Sequence, residues 1–322
     1  MTNQKNKIRV AVLMGGPSAE YDVSLSSGKN VCQALNKEKY EVLPLIISRS
    51  GEWQVTPEKL REKIDIAFLA LHGEFGEDGT VQSMLEEAGI VYTGSNPLSS
   101  ALGMNKIFSS LLFRANDLAV PEFMVINKKD GLDDLEPVFD APWIVKPANR
   151  GSSVGMTVVR EKKNLIDAVR YALLFSRDVM IEKYIYGREL TCGVIDDGLG
   201  KITPLIPTEI IPKTSHFFDY QAKYTAGASE EITPPRLTEA TIKLVQEIAA
   251  QAHRIIGASG MSRTDMILAY DDHKLYVLEI NTIPGMTPIS LLPQGAQAAG
   301  LSFSELLDKI IQAAFNRQLT TN

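Results

Sequence analysis

Three short, mostly apolar runs near the start of the chain constrain its fold more than any other feature. They are IRVAVLM at 8–14, VLPLII at 42–47 and IAFLAL at 66–71, and segments with helical spacing separate them. Runs this apolar are typical of parallel strands that are buried on both faces, and parallel strands are usually joined through helices. The pattern predicts an α/β fold that begins with an open parallel layer over roughly the first 95 residues.

The rest of the chain follows a different pattern. The turn-rich stretch YTGSNP at 92–97 marks the first boundary. Beyond it the sequence predicts a helix over roughly 97–114 and then a strand–loop–strand unit, WIVKP–ANRGSSVG–MTVV. A β-rich segment with helices over roughly 237–256 and 303–315 completes the chain. We therefore expect three domains, at residues 1–95, 96–182 and 183–322.

The composition argues against several classes of partner. The formal net charge is −6 and no long basic run occurs, so we expect neither nucleic acid nor an anionic membrane surface as a partner. No apolar run is long enough to span a bilayer, and the one at the N-terminus is too short for a signal peptide. Cys32 and Cys192 lie far apart without metal-type spacing, as expected for free thiols in a reduced cytoplasm.

Two β-rich runs near the C-terminus, SRTDMILAY and KLYVLEIN, are separated by the short segment DDH. If Tyr270 pairs with Lys274 around this three-residue loop, a common hairpin type, the register of the hairpin is set. Asp265 then lies directly opposite Glu279. The sequence therefore predicts two carboxylates that face each other across neighbouring strands.

Opposed carboxylates repel and are costly to bury, so we expect positive charge between them. In the same register Arg263 lies opposite Asn281, on the same face as Asp265 and Glu279. Oxygen atoms of Asp, Glu and Asn are the hard ligands that Mg²⁺ prefers. The pattern thus favours a magnesium site, and the alternative is a buried arginine–carboxylate network without a metal.

Magnesium held by few protein ligands usually binds phosphate as well. Phosphate groups are commonly bound by glycine-rich loops. Neither the Walker A pattern nor G-x-G-x-x-G after the first strand occurs, and the latter absence argues against a dinucleotide-dependent dehydrogenase. NRGSSVG at 149–155 does occur, with Lys146 just before it. Small residues let backbone N–H groups approach phosphate oxygens, so this loop is a candidate phosphate-binding flap, and the alternative is a simple hairpin turn.

At this point a family resemblance is evident, and it runs essentially from end to end. The chain resembles the D-alanine–D-alanine ligases of the ATP-grasp superfamily. The motifs that carry the resemblance begin with GGPSAEYDVSL at 15–25 and continue in this order: HGEFGEDG (72–79), YTGSNPLSSALGMNK (92–106), IVKPANRGSSVGM (144–156), IEKYIYGRE (181–189), FFDYQAKY (217–224), SRTD (262–265) and LEINTIPGMTPISL (278–291).

The resemblance implies a three-domain α/β architecture, in which an open parallel layer precedes two α+β domains that clamp ATP between their sheets. It implies two D-alanine molecules as substrates, an acyl-phosphate intermediate, and D-alanyl-D-alanine, ADP and phosphate as products for peptidoglycan synthesis. Two Mg²⁺ ions, with Mn²⁺ as an alternative, a homodimer and a cytoplasmic location are further implications.

The family's ATP and metal sites map onto specific residues of this sequence. For ATP they are Lys106, Lys146, Ser153, Glu182, Lys183, Ile185, Glu189 and Lys223. Within this set, Glu182, Lys183 and Ile185 would bind adenine, Glu189 would bind ribose, and Lys106, Lys146 and Lys223 would contact phosphates. Asp265, Glu279 and Asn281 would bind magnesium, in agreement with the independent reasoning from the hairpin.

The family's amino-acid site also maps onto this sequence. Its catalytic residues would be Glu20, Ser152, Tyr224, Arg263 and Gly285, and its substrate-binding residues His72, Ser290 and Leu291. By this resemblance Glu20 would hold the first ammonium group, and Ser152 and Tyr224 would join it in a hydrogen-bonded set. Arg263 and the Gly285 N–H would stabilise the tetrahedral oxyanion, and Ser290 and the Leu291 N–H would bind the second carboxylate.

Some features depart from the family pattern. Phe218 and Gln221 stand where tyrosine and glutamate are expected. The resemblance therefore does not decide whether the loop 213–230 closes as it does in the family. Gly103 occupies a helical position that usually carries a better helix former. Two alternatives therefore stay open: a ligase with D-serine or D-lactate as second substrate, and a nucleotide-binding regulator without catalysis.

Overall fold

The computed structural model describes residues 7–132, 135–213 and 229–321. Lys223 and Tyr224, to which the resemblance assigns contacts with ATP and substrate, lie outside the described residues, as do Phe218 and Gln221. In the described ranges, no helix combines the length and apolar character that crossing a lipid bilayer requires.

The N-terminal layer is a parallel sheet with strand order β2-β1-β3, which confirms the predicted α/β start. Its elements are β1 (Ile8–Gly15), α1 (Tyr21–Ala34), β2 (Tyr40–Ile47), α2 (Pro57–Leu60), β3 (Ile66–Leu69) and α3 (Thr80–Glu87). The runs in β1 and β3 are buried as expected, but Leu43 and Ile46 of β2 are each 36% exposed. Both β2 and β3 lie at edges of this sheet, but β3 is covered on its outer side by a parallel bridge from Ala67 to Tyr92.

Where the sequence predicts one helix over roughly 97–114, the structure has α4 (Pro97–Met104) and α5 (Lys106–Ala115). Asn105 separates them, since its side-chain oxygen accepts hydrogen bonds from the N–H groups of the two residues after Lys106, at 3.1 and 3.2 Å. Asparagine competes well for these N–H groups and therefore starts a new helix. The break makes Lys106 the first residue of α5.

The middle sheet is antiparallel, with strand order β4-β7-β5-β6. Its elements are β4 (Phe123–Asn127), β5 (Trp143–Pro147), β6 (Thr157–Val159), α6 (Leu165–Ala172) and β7 (Asp178–Lys183). β5 and β6 pair directly, so the predicted strand–loop–strand unit around 149–155 is confirmed.

The third sheet has strand order β11-β10-β8-β12-β13, with β9 on β8. Its strands are β8 (Gly187–Asp196), β9 (Ile202–Pro204), β10 (Thr208–Pro212), β11 (Ser229–Ile232), β12 (Met261–Ala269) and β13 (Leu275–Asn281). The helices of this part are α7 (Glu239–Ile256), α8 (Leu291–Ala298) and α9 (Phe303–Thr321). The helix expected over 303–315 therefore extends further towards the C-terminus.

The C-terminal helices pack against the N-terminal layer. Leu306 and Ile310 of α9 and Leu292 of α8 belong to the same hydrophobic core as the strands of the N-terminal layer. Burial of these side chains between the first sheet and the last helices ties the two ends together. The boundaries at 1–95, 96–182 and 183–322 remain a prediction.

The tip of the β12–β13 hairpin differs from the prediction. Ala269, rather than Tyr270, pairs with Lys274 through an N–H···O bond of 2.9 Å. This pairing leaves residues 270–273 in the loop, so the strands near the tip are offset by one residue from the expected register.

A β-bulge removes this offset before the charged residues are reached. The register shifts just after Asp265, which leaves Leu278 as the extra residue of β13. Asp265 therefore pairs with Glu279, and Arg263 with Asn281, so the predicted pairing of the carboxylates is confirmed although the predicted loop is wrong. The bulge also directs the neighbours Leu278 and Glu279 into the same cleft.

The packing of α4 explains the glycine in that helix. A Cβ atom on Gly103 would lie 2.9 Å from Cγ2 of Thr282, which follows β13 directly. Any larger residue would push α4 away from the end of this strand. Glycine is a poor helix former, but it lets α4 pack closely against the end of β13.

Candidate active site

Two cavities meet between the three sheets. The inner cavity, of about 600 Å³, is lined by the start of α1, the segments 72–77 and 151–152, and the residues that follow β13. The sheet cleft, of about 370 Å³, lies between the middle sheet and the third sheet. Lys106 and Glu279 line both. Two separate ligands could therefore be held with their ends in contact at this junction.

The structure brings all the described site residues expected from sequence to these two cavities. Those that line the inner cavity are Glu20, His72, Lys106, Ser152, Arg263, Glu279, Asn281, Gly285, Ser290 and Leu291. Those that line the sheet cleft are Lys106, Lys146, Ser153, Glu182, Lys183, Ile185, Glu189, Asp265 and Glu279. Lys223 and Tyr224 lie outside the described residues.

At the junction, Lys106 connects the hairpin to the loop 149–155. Its Nζ lies 3.2 Å from Glu279 Oε2 and donates a hydrogen bond of 2.8 Å to the Arg150 carbonyl oxygen. The break between α4 and α5 fixes this position, because the backbone N–H of Lys106 also bonds to the Ala148 carbonyl oxygen at 2.8 Å. A cation is thus held where the two cavities join.

The paired carboxylates are neutralised in this structure by basic side chains. Arg263 forks onto Asp265, with N···O distances of 2.9 and 2.8 Å, and Thr191 Oγ1 donates to Asp265 Oδ1 at 2.6 Å. Together with the contact between Lys106 and Glu279, these bonds form the arginine–carboxylate network that is the alternative to a metal site. The bidentate geometry makes the pairing specific.

The same residues nevertheless fit a divalent cation. No cluster of three or more His, Cys, Asp or Glu side chains suited to a metal occurs within the described ranges, so the candidate donors are two carboxylates and one amide. Asp265 pairs with Glu279, and Arg263 with Asn281, so the three candidate side chains lie at one end of the hairpin. Their carboxylate and amide oxygen atoms are the hard ligands that Mg²⁺ prefers.

At the far end of the sheet cleft, Lys146 Nζ lies 2.6 Å from Glu182 Oε2, and these side chains are only 9% and 4% exposed. The other carboxylate oxygen, Glu182 Oε1, is buried without a hydrogen-bond partner among the described residues. A buried acceptor of this kind needs a donor, since leaving it unpaired is costly. The cleft therefore offers a hydrogen-bond acceptor to a ligand at this end.

The loop 149–155 closes against the inner cavity. Ser152 Oγ donates a hydrogen bond to Glu20, which immediately precedes α1. A Cβ atom on Gly151 would lie 2.8 Å from Glu20 Oε2, so a larger residue here would displace the Glu20 carboxylate. The contact brings together two residues that are far apart in the sequence.

Glu77 also lines the inner cavity, although sequence reasoning did not select it. Its Oε1 accepts a hydrogen bond from the Gly73 N–H at 2.9 Å and lies 3.9 Å from His72 Nδ1, while His72 Nε2 contacts Ser27 Oγ at 2.8 Å. Burial, reinforced by the charge of Glu20, raises the pKa of Glu77 to about 8. The signal available was an acidic residue in the same glycine-rich motif as His72.

Burial also lowers the pKa of His72. Neutral imidazole and protonated carboxyl are thus the favoured forms of this buried pair near neutral pH. Both groups can exchange hydrogen bonds with a ligand without adding net charge to the inner cavity.

Replacing Glu77 by Gln should change how stability depends on pH. The folded pKa, about 8, exceeds the ordinary value of 4.5, so the wild-type protein loses stability as pH rises through this window. The slope for one such group is at most roughly 1.4 kcal/mol per pH unit. We expect Glu77→Gln to flatten this fall, measured by urea unfolding between about pH 5 and about pH 8. Glu87→Gln, an exposed change on α3, is the control, and equal slopes for all three proteins would refute the buried protonated carboxyl.

Glu231 is a second residue of the inner cavity that sequence reasoning did not select. Its Oε2 accepts a hydrogen bond of 2.7 Å from Gln294, a residue of α8. Its neighbour Glu230 instead contacts Lys213 and Arg236, as expected for adjacent residues on opposite faces of a strand. The available signal was two consecutive glutamates in a short strand. Because the neighbouring residues are mostly polar, the sequence pattern does not identify this segment as a strand.

The segment after β13 is shaped around Ser290. Ser290 Oγ accepts a hydrogen bond from the Thr287 N–H at 3.0 Å and lies 2.8 Å from Thr287 Oγ1. A Cβ atom on Gly285 would lie 2.7 Å from Ser290 Oγ, so a larger residue would push the Ser290 hydroxyl out of this position. Leu291 is the first residue of α8, and its N–H is therefore at a helix N-terminus, which favours anions.

Comparison with known families agrees with this geometry. Residues 112–312 match the family model described as D-ala D-ala ligase C-terminus. Residues 9–62 and 54–95 match the model described as D-ala D-ala ligase N-terminus. The two models together span most of the chain.

Individual relatives give the same result. The chain is 45% identical over 313 residues to the D-alanine–D-alanine ligase of Syntrophobacter fumaroxidans, covering 96% of this chain and 98% of the relative. The structure of the D-alanine–D-alanine ligase from Bacillus anthracis complexed with ATP has a TM-score of 0.81 and 34% identity, covering 98% of this chain and 100% of that one.

A further solved structure, the VanG D-Ala:D-Ser ligase from Enterococcus faecalis, has a TM-score of 0.83 and 32% identity, with 96% of this chain and 100% of that one covered. These neighbours confirm the ATP-grasp architecture that the resemblance implied. The sequence motifs, the three sheets and the two joined cavities therefore agree with the matches along the whole chain: this chain belongs to the D-alanine–D-alanine ligase family.

Proposed function

We propose that this protein joins two D-alanine molecules into D-alanyl-D-alanine, with conversion of one ATP to ADP and phosphate, and so supplies a precursor of peptidoglycan. The observation that carries the proposal is the junction of the two cavities at Lys106 and Glu279. A nucleotide in the sheet cleft would present its terminal phosphate at this junction, beside an amino acid in the inner cavity.

The sheet cleft suits a nucleoside triphosphate. Glu182 Oε1 is a buried acceptor with no described partner, and it would accept a hydrogen bond from the amino group of adenine. Lys183 and the backbone of Ile185 line the same end, and Glu189 would bind the ribose hydroxyls. The contact at Glu182 would satisfy a buried acceptor that has no partner among the described residues.

Several groups would bind the phosphates. Lys146 is held by Glu182, so we assign it to the adenine end and the nearest phosphate. Lys106, which lies at the junction, would contact the terminal phosphates together with the N–H and hydroxyl of Ser153. The resemblance adds Lys223 to this set.

Asp265, Glu279 and Asn281 would hold Mg²⁺, with two ions as in the family and Mn²⁺ as an alternative. When bound, the metal would neutralise charge on the terminal phosphates and orient them. With the metal bound, the guanidinium of Arg263, which forks onto Asp265 in this structure, would act on the substrate.

The first step activates a carboxylate, which is otherwise a poor electrophile. Glu20 would hold the ammonium group of the first D-alanine, with His72 and Ser152 around it in the inner cavity. A carboxylate oxygen of this D-alanine attacks the terminal phosphorus of ATP, and the bond from phosphorus to the ADP oxygen breaks. The product is an acyl phosphate with a good leaving group.

The second step forms the peptide bond. The second D-alanine, whose carboxylate would bind Ser290 and the Leu291 N–H, attacks the acyl carbon through its amine. Arg263 and the Gly285 N–H would stabilise the negative oxygen that develops, an effect commonly worth about 10²–10³-fold per donor. The carbon–oxygen bond to phosphate then breaks, and the amine loses its proton. Water must be excluded, since it would otherwise hydrolyse the acyl phosphate.

We also infer a homodimer and a cytoplasmic location, both as in the family that the chain resembles. The location agrees with the proposed use of ATP as a substrate. It also agrees with the free thiols of Cys32 and Cys192. Sedimentation of the purified protein would test the dimer.

D-serine is a second candidate acceptor, and Glu231 is the observation that favours it. This carboxylate lines the inner cavity together with Ser290 and is oriented by Gln294. A carboxylate at this place could accept a hydrogen bond from a hydroxyl side chain, which D-alanine lacks. The similarity to a D-Ala:D-Ser ligase supports including D-serine in the test.

The decisive experiment measures phosphate release from MgATP with D-alanine, L-alanine, D-serine and D-lactate in turn, and identifies each product by mass. We expect D-alanyl-D-alanine with one phosphate per peptide bond. A mixed D-alanyl-D-serine product at higher efficiency would favour the second candidate. Binding of ATP without phosphate release from any substrate would instead support a regulator without catalysis.

A further inference from the structure

The loop 149–155, here called the glycine-serine loop, is held from three sides through Arg150. The guanidinium of Arg150 donates a hydrogen bond to Glu74 and, through Nε, another to the carbonyl oxygen of Phe175 at 2.8 Å. The carbonyl oxygen of Arg150 accepts a hydrogen bond of 2.8 Å from Lys106 Nζ. One residue thus connects the loop to three separate parts of the chain.

The contact with Glu74 crosses from the middle sheet to the N-terminal layer. Glu74 lies in the segment 72–79, which follows β3 and contributes His72 and Glu77 to the inner cavity. The side chains of Arg150 and Glu74 are 38% and 31% exposed, so water reaches the pair. A half-exposed ion pair of this kind is weak enough to open and strong enough to bias the loop.

The backbone of the glycine-serine loop needs such external contacts. Ser152 and Ser153 have φ angles of 51° and 59°, which residues with a side chain adopt only at a cost. Ser152 Oγ nevertheless donates to Glu20, and Gly151 approaches the same carboxylate. The surroundings of the loop, rather than its own preferences, therefore select this conformation.

We propose that Arg150 and Glu74 form a latch that fastens the glycine-serine loop to the N-terminal layer and keeps Ser152 against Glu20. This inference rests on the proposed ligase function. Both are positioning residues, because they act on the substrate only through the loop. Glu74 and Arg150 carry no role among the site residues that the sequence motifs assign.

The latch has a specific chemical consequence. With the loop in place, water is kept from the acyl phosphate until the second amine arrives. With the loop loosened, a water oxygen can attack the acyl carbon, and the carbon–oxygen bond to phosphate breaks. The first D-alanine is regenerated and phosphate is released, so ATP is hydrolysed without peptide formation. Loss of the latch should therefore appear as uncoupling.

The test is a charge exchange in the full-length protein. Glu74→Gln removes the latch but leaves the bond from Arg150 to Phe175. Glu74→Arg and Arg150→Glu each place two like charges together, and the double variant E74R/R150E restores opposite charges in reversed order. Phosphate released per dipeptide formed is measured for each protein, and thermal unfolding checks that each is folded.

We expect the wild-type protein to release close to one phosphate per dipeptide, with a small excess from hydrolysis of the acyl phosphate. Glu74→Gln should raise this excess about 2- to 5-fold, the factor that corresponds to a partly exposed ion pair. The like-charge variants should raise it further, and the double variant should return towards the wild-type ratio. Glu136→Gln, which removes the surface pair between Glu136 and Lys162 at 2.6 Å, is the matched control and should leave the excess at its wild-type value.

Two results would overturn the latch: an excess of phosphate over dipeptide no larger than the wild-type excess in every single variant, or a double variant no better coupled than its worse single parent. Absence of dipeptide from the wild-type protein would instead refute the proposed function. Hydrogen exchange then still tests the latch in the ligand-free protein. The Val154 and Met156 amides bond within the loop at 3.2 Å, and they should exchange about 2- to 5-fold faster in Glu74→Gln and recover in the double variant. Unchanged exchange would refute the latch whatever the reaction.

Discussion

Glu279→Gln should reduce dipeptide formation at least about 100-fold, since even the supporting residues of metal ligands commonly contribute 10- to 100-fold. Glutamine keeps the shape of the side chain but removes the charge that faces Asp265 across the hairpin. It also removes the ion pair with Lys106 at the junction of the two cavities. We expect the residual activity to require a higher magnesium concentration, as measured by initial rates over a magnesium titration.

The matched control is Glu247→Gln, which changes an exposed glutamate on α7 that pairs with Lys243. It should leave both the rate and the magnesium dependence unchanged. Turnover of Glu279→Gln within a few-fold of wild type at the same magnesium concentration would contradict the metal site. The arginine–carboxylate network would then be the better description of the hairpin.

Arg263→Lys is expected to lower kcat by about 10²–10³-fold while the KM for ATP changes little. Lysine keeps the positive charge but cannot reproduce the planar fork of five N–H donors. The fork is visible in this structure, where it holds both oxygens of Asp265. We expect the same geometry to be needed when the guanidinium contacts the negative oxygen of the tetrahedral species.

Steady-state kinetics separate this role from a structural one. If Arg263 serves only to hold Asp265, the variant should raise the KM for ATP and leave kcat nearly intact, which would refute the catalytic assignment. Arg254→Lys, an exposed change in the last turn of α7, is the control. Its kinetics should match those of the wild-type protein.

The charged hairpin shows what a local pattern can and cannot predict. Alternation along the two strands correctly placed Asp265 opposite Glu279. The loop was wrong by one residue, and the bulge at Leu278 corrected the register. Nothing in LYVLEIN marks a bulge, because it depends on how β13 fits beside β12 in the assembled sheet. The agreement at the carboxylates therefore rests on two compensating features.

The sequence contains a signal for the helix break at Asn105. Asparagine is a strong N-cap, but the apolar spacing on both sides continues with helical period, so one helix was expected over roughly 97–114. Tertiary contact decides between the two outcomes. The bond from the Lys106 N–H to the Ala148 carbonyl oxygen fixes the new helix and orients its first residue towards the junction.

The sequence by itself determined the parallel N-terminal layer, the strand–loop–strand unit, the opposed carboxylates and the family. Each of these follows from local periodicity or from sequence motifs. Only the tertiary structure decided that Glu77 and Glu231 line the inner cavity and that Arg150 pairs with Glu74. The physical reason is that burial and ion pairing depend on what surrounds a group in space. A carboxylate such as Glu77 has an ordinary pKa in the unfolded chain and a raised one only when the fold removes its water.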